Sequence, residues 1–192
     1  MLSALQGQLK LMAADPHDPF TGIIRKMVGP REAVHYERPL RALILAMPAM
    51  IGQIRSWVNE SKLPSPLKRM PAFIMVYLYS PEDLLPESSM GFFGYLDDAY
   101  LVAQVYHRTM LEADSFGIKH FVKDKTLSQD VQNWLKMVKQ LLPAEAAAMD
   151  RMLEEVPLRI DGNFSKLLSK AAKDGRIAGC GENNTASGRR SR

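Results

Sequence analysis

The 192-residue sequence contains a single cysteine, Cys180, which lies in a polar C-terminal stretch. A disulfide framework is therefore excluded, and no histidine stands near Cys180 to activate it as a nucleophile. The Walker A and dinucleotide-binding glycine patterns are absent, and so is the paired spacing of a zinc site. The four histidines are isolated from one another along the chain: His17, His35, His107 and His120. We expect no catalytic residue and no cofactor.

The sequence also lacks an apolar run long enough to cross a bilayer. Residues 70–79 are apolar on every side of a helix, but spanning needs about 20 such residues. This run predicts a central core helix, with a membrane-dipping hairpin as the alternative. No basic region precedes an apolar stretch at the N-terminus, so we expect no signal peptide. The predicted location is the cytoplasm, with the inner face of the membrane as the alternative.

Strands with alternating apolar and polar residues are missing, whereas helical spacing recurs along the chain. Leu2, Leu5, Leu9 and Met12 form one apolar stripe, and Leu127, Val131, Trp134 and Val138 form another. A hydrophobic content of 46% suffices for a core. The sequence predicts an all-α fold, a single multi-helix bundle of about six to eight helices with a central helical hairpin and a disordered C-terminal tail.

Proline and glycine divide the chain into four predicted segments. Asp18-Pro19 favours a helix start, and Gly29-Pro30 favours its end. A long apolar stripe follows from Leu40, and Pro48 should kink or split that helix. We predict N-terminal helices and a linker over 1–39, with the linker at 30–39, and a helical core over 40–113. A helical extension over 114–175 and a disordered tail over 176–192 complete the prediction.

Charge is unevenly distributed although the net charge is only +4. Residues 82–114 carry seven carboxylates against Arg108, whereas the sequences on either side are basic. Pairing of this acidic segment with its basic flanks is the simplest expectation. A protein partner or a membrane surface is the expected partner. Three arginines near the C-terminus do not predict specific nucleic-acid binding, because no aromatic residues alternate with them.

The acidic segment begins at a tight corner. Pro81 disfavours a helical Ser80, so a helix should end there, and Asp83 falls in the first turn that follows. Pro86 breaks that turn, and residues 87–94 read as a loop with exposed aromatic side chains. Asp97 or Asp98 should then cap the next helix. We predict that the corner is a structural motif formed by Ser80, Pro81, Asp83, Pro86, Gly94, Asp97 and Asp98.

The pattern Tyr79-Ser80-Pro81-x-Asp83-Leu84-x-Pro86, followed by Gly94-Tyr95-Leu96-Asp97-Asp98, resembles the YkvA-like small helical domain of unknown function, DUF1232. The resemblance covers only the centre of the chain. Glu87 stands where the family often has aspartate, and the polar Ser88-Ser89 replaces residues that are often apolar. The resemblance implies a fold motif rather than a reaction, and many relatives are described as membrane-associated.

Three functions remain open at this stage. The leading hypothesis is a non-enzymatic helical interaction or scaffold module, because helical patterning is rich and no catalytic set stands out. The second is a peripheral membrane-associated protein. The third is a metal-dependent enzyme that uses Asp83, Asp97 and Asp98 as ligands, since an all-oxygen set suits Mg²⁺, Mn²⁺ or Ca²⁺. Against the third hypothesis, the same aspartates could accept backbone N–H groups at helix starts.

Overall fold

The computed structural model of the protein describes residues 2–61, 63–78, 85, 87–118 and 125–156. These residues form no strand, and the all-α prediction is confirmed. The predicted last helix after Asp161 and the tail over 176–192 lie outside the described residues. The described α-helices are α1 (Leu2–Ala14), α2 (Phe20–Val28), α3 (Pro30–Asn59), α4 (Arg69–Tyr77), α5 (Glu87–Met90), α6 (Leu96–Ser115), α7 (Lys125–Leu141) and α8 (Pro143–Glu155), with 3-10 helices at Ser65–Lys68 and Gly91–Tyr95.

Helix α3 corrects the prediction of a linker over 30–39. It begins at Pro30, where a missing N–H costs nothing, and continues through Pro39 and Pro48 without splitting. An interior proline costs about 3 kcal/mol in a helix. Burial of one face offsets that cost, because the residues along it are inaccessible to water: Ala33, Leu40, Leu43, Ile44, Met47, Met50, Ile51 and Ile54.

The first three turns of helix α6 are buried almost all round, whereas α4 is not. From Leu96 to Tyr106 every residue except Asp98 is buried. Helices α3, α4, α7 and α8 all pack against it. In contrast, Val76 on α4 is half exposed. The apolar run of 70–79 therefore predicted a core helix correctly but placed the centre of the bundle at α4 instead of α6.

The two phenylalanines of the Gly91–Tyr95 helix are core residues, not the exposed loop side chains that the sequence suggested. Phe92 and Phe93 have no solvent exposure. The ring of Phe20, on α2, lies 5.5 Å from that of Phe92 and 5.9 Å from that of Phe93. The Arg41 guanidinium lies 4.5 Å above the Phe20 ring. These contacts bury a segment whose local sequence, with two glycines and two serines, resembles a surface loop.

Asp18 joins the N-terminal helices to this same segment. Its Oδ1 accepts the N–H of Phe20, the first residue of α2, at 2.9 Å, and its Oδ2 accepts the Phe92 N–H at 2.8 Å. The adjoining Gly91 has a φ of +57°, and a Cβ there would lie 2.6 Å from Asp18 Oδ2. Gly91 is therefore required both by its backbone conformation and by the close approach of the carboxylate.

Within the described ranges, no helix has the length and apolar character needed to span a membrane.

We predict that Phe93→Ala lowers the free energy of unfolding by about 3–5 kcal/mol, because it leaves a cavity in a fully buried site. Phe116→Ala is the matched control. Phe116 is 59% exposed at the end of α6, so its truncation should change stability by less than about 0.5 kcal/mol. Urea denaturation of both variants measures the difference, and equal losses would contradict the burial of Phe93.

Candidate functional site

Asp97 is the fully buried carboxylate of the acidic corner. Its Oδ2 accepts the Leu85 N–H at 3.0 Å, and its Oδ1 accepts the Asp98 N–H at 2.9 Å. Both oxygens therefore have backbone donors, one of them twelve residues earlier in the chain. A carboxylate in the first turn of a helix is also favoured by the helix dipole. The contact fixes the chain at Leu85 against the start of α6.

The predicted N-cap at Asp97 or Asp98 is wrong by two or three residues. Helix α6 begins at Leu96, and Tyr95 occupies the N-cap position without a side-chain cap. The physical reason is that the 3-10 helix Gly91–Tyr95 runs directly into α6. The backbone before Asp97 is thus already helical, and its carboxylate instead accepts the N–H of Leu85 from the preceding chain.

Of the remaining corner residues, the structure describes Gly94 and Asp98. Ser80, Pro81, Asp83 and Pro86 lie outside the described residues. Gly94 packs closely on the start of α5, where a Cβ would lie 2.5 Å from Glu87 Cα. Asp98 is partly exposed and has interactions of its own. Elsewhere in the described chain, no three His, Cys, Asp or Glu side chains converge as a metal site would require. The metal hypothesis and the structural role of the corner both stay predictions.

A second polar cluster, which sequence reasoning missed, surrounds Asp150 on α8. Asp150 Oδ1 accepts hydrogen bonds from the Tyr100 hydroxyl at 3.0 Å and from Gln104 Nε2 at 2.8 Å. Its Oδ2 lies 2.7 Å from Lys139 Nζ, and Arg108 Nη2 lies 3.6 Å from Oδ1. We call these five residues the Asp150 cluster. It links α6, α7 and α8 through one partly buried carboxylate.

The sequence contained one signal for this cluster. Tyr100, Gln104 and Arg108 recur every four residues and so share one face of α6. Gln104 and Arg108 are polar, and a polar helix face is typical of one that points to solvent. In the structure Gln104 is buried, because α7 and α8 cover that face. The partner, Asp150, is distant in sequence, and no local pattern connects it to α6.

The electrostatics of the Asp150 cluster favour a fixed polar contact over acid–base chemistry. Burial raises the pKa of the Tyr100 hydroxyl, and the nearby Asp150 carboxylate raises it further. Tyr100 therefore remains a neutral donor under ordinary conditions. Burial also lowers the pKa of His107, and the Arg108 charge acts in the same direction. The carboxylate oxygens of Asp150 are engaged by donors from the chain itself.

Comparison with known proteins gives one match. Residues 68–103 match the family described as "Protein of unknown function (DUF1232)". No curated protein and no solved structure matches the chain. The matched residues run from the start of α4 into the second turn of α6 and contain Asp97 and Tyr100. Asp18 and Asp150 lie outside the match.

We predict that Asp97→Ala destabilises the protein more than Asp97→Asn. Alanine leaves two buried N–H groups without an acceptor, at about 1–3 kcal/mol each, whereas asparagine keeps one acceptor oxygen. Asp114→Asn, at an exposed position of α6, is the control and should be nearly neutral. Urea denaturation should give the same stabilities with and without chelator. A chelator-sensitive parent, together with equal losses for Asn and Ala, would favour the metal hypothesis.

The buried Tyr100 hydroxyl predicts a specific alkaline pH dependence. Above about pH 10 the hydroxyl ionises in the unfolded chain but stays protonated in the folded protein, so stability falls as pH rises. The slope contributed by this one group is up to about 1.4 kcal/mol per pH unit. Tyr100→Phe removes that contribution, although it also loses the hydrogen bond to Asp150. Denaturation curves between pH 8 and 11 measure both slopes, and parallel slopes would contradict a raised pKa.

Proposed function

Residues 68–103 of the chain form a DUF1232-type domain of unknown function, and on that premise we propose that the protein is a non-enzymatic helical interaction module. Its helices present a rigid surface to a macromolecular partner. The proposal extends to the whole bundle, because α2 and α3 pack on the matched segment through Phe20 and Arg41.

The observation that supports this proposal is that the carboxylate oxygens of Asp97 and Asp150 already accept hydrogen bonds from the chain. Each oxygen of Asp97 accepts a backbone N–H. Asp150 accepts hydrogen bonds from Tyr100 and Gln104 and pairs with Lys139. A general base or a metal ligand needs an oxygen directed at a substrate or an ion. Buried carboxylates whose oxygens are held by protein donors instead rigidify the fold.

Large apolar side chains remain exposed on several helices. Leu11, Val34, Val76, Leu111 and Phe116 are each more than half exposed. Single exposed apolar residues are ordinary on protein surfaces, so they gain meaning only through the partner that contacts them. They are accordingly the positions at which a partner is best sought.

We expect a photo-reactive phenylalanine analogue at one or more of these five positions to cross-link a discrete protein partner. The full-length chain is made at native level in its own host, and irradiated adducts are identified by mass spectrometry. Analogues at the exposed polar positions Asp130 and Glu154 are the controls, and the partner should be absent there.

Failure of every apolar position to give a specific protein adduct would contradict an interaction module. The enzyme alternative makes a different prediction. A hydrolytic or transferase activity that disappears in Asp97→Asn or Asp150→Asn, with the fold retained, would replace the proposal.

A further inference from the structure

Along one face of helix α3 the other described helices leave most positions exposed, whereas Ala42 and Gly52 are half-buried. The positions on this face follow one another every three or four residues, as one side of an α-helix does. We call it the outward stripe: Arg31, Val34, Arg38, Ala42, Leu45, Ala49, Gly52 and Ser56. Val34 is 65% exposed and Leu45 is 37% exposed. The stripe extends about 37 Å along the helix axis, from the rise of 1.5 Å per residue.

Neighbouring helices flank the outward stripe on both sides. On one side α1 lies along α3, because Arg41 Nη1 donates to the Ala13 carbonyl at 3.1 Å and a Cβ on Gly52 would lie 3.7 Å from Leu2 Cδ1. On the other side the Tyr106 hydroxyl of α6 donates to Gln53 Oε1 at 3.2 Å. The stripe thus lies between two packed helices, in a position where another helix could pack.

The charge of the outward stripe has one sign. Arg31 and Arg38 belong to it, and neither forms an ion pair within the described residues. The two glutamates of α3 lie off the stripe, and Glu37 already pairs with Arg25 at 3.5 Å. Cations that alternate with exposed apolar side chains complement a surface that alternates carboxylates with apolar side chains.

We infer that the outward stripe of α3 binds an acidic amphipathic helix of a protein partner, an inference that rests on the proposed function. The partner helix packs its apolar face on Val34 and Leu45 and places carboxylates near Arg31 and Arg38. Recognition of this kind uses anchors spaced as i, i+3, i+4 and i+7. Ala42 and Ala49 allow its backbone to approach closely, since interaxial distance depends on the side chains at the contact.

Two other occupants fit the stripe less well. The chain's own residues 161–175 carry Lys166, Lys170 and Lys173 against two aspartates, so their charge repels the two stripe arginines. An anionic bilayer would match the charge. However, membrane-surface helices carry bulky apolar residues along the buried face, whereas half of the stripe is Ala, Gly or Ser.

The test places the photo-reactive analogue at Val34 and, separately, at Leu45 in the full-length chain in its own host. The adduct should contain a partner peptide with carboxylates spaced three or four residues apart. Combined Arg31→Glu and Arg38→Glu should reduce the Leu45 adduct at least about tenfold, because like charges would then face each other. Arg55→Glu is the matched control: Arg55 is exposed on the same helix but off the stripe, and its reversal should leave the adduct within about twofold of the parent.

Several results would overturn the inference. They are an adduct with lipid, an adduct with residues 157–192 of the same chain, a captured segment without carboxylates, no adduct at either position, and an adduct unaffected by the double charge reversal. Capture of a protein at Val76, Leu111 or Phe116 but not at the stripe would remove the inference and leave the proposed function standing. No protein adduct at any position would remove both.

Discussion

The burial of the first three turns of α6 on nearly all sides is the constraint on which the rest of the structure depends. A helix without a solvent face needs neighbours around its whole circumference, and α3, α4, α7 and α8 supply them. Most buried polar side chains on such a helix then require a partner inside the protein, and Thr109 Oγ1 is an exception on α6. Tyr100 and Gln104 donate to Asp150, and Tyr106 donates to Gln53. Asp97 accepts the Leu85 N–H. The polar contacts between helices follow from the position of this one helix.

That burial also explains why Asp97 and Asp150 are held by hydrogen bonds within the protein. In the low dielectric of a helix interface, a carboxylate costs free energy unless it is paired or hydrogen-bonded. Asp97 meets the requirement with backbone amides, whereas Asp150 meets it with the Tyr100 hydroxyl, the Gln104 side-chain amide and two cations. The two sets of contacts differ in the sequence separation of the residues that they join. The first joins neighbouring parts of the chain, and the second joins helices that are about 50 residues apart.

Local signals predicted the all-α class from apolar stripes, and the bounds of α2 to within one residue from its proline and glycine boundaries. They failed where distant residues decided the outcome. Phe92 and Phe93 looked exposed beside glycines and serines, but Phe20 covers them. Residues 30–39 looked like a linker because of their prolines and charges, but burial of Ala33 and Leu40 keeps them helical. Of the candidate site, the importance of Asp97 was visible in the sequence, whereas Asp150 had no local pattern to reveal it.

The hydrogen bond from the Phe92 amide to Asp18 spans 74 residues of sequence, and it bears on what counts as a folding unit in this chain. The segment that matches the family begins only after α2 and α3, the helices that cover its aromatic residues. Taken alone, residues 68–103 would present Phe92, Phe93 and the buried face of α6 to water, a surface that promotes aggregation. The matched segment therefore needs apolar neighbours from outside the match. Here α2 and α3 supply them from the N-terminal side. Asp18 accepts N–H groups from both Phe20 and Phe92, and so aligns α2 on the matched segment.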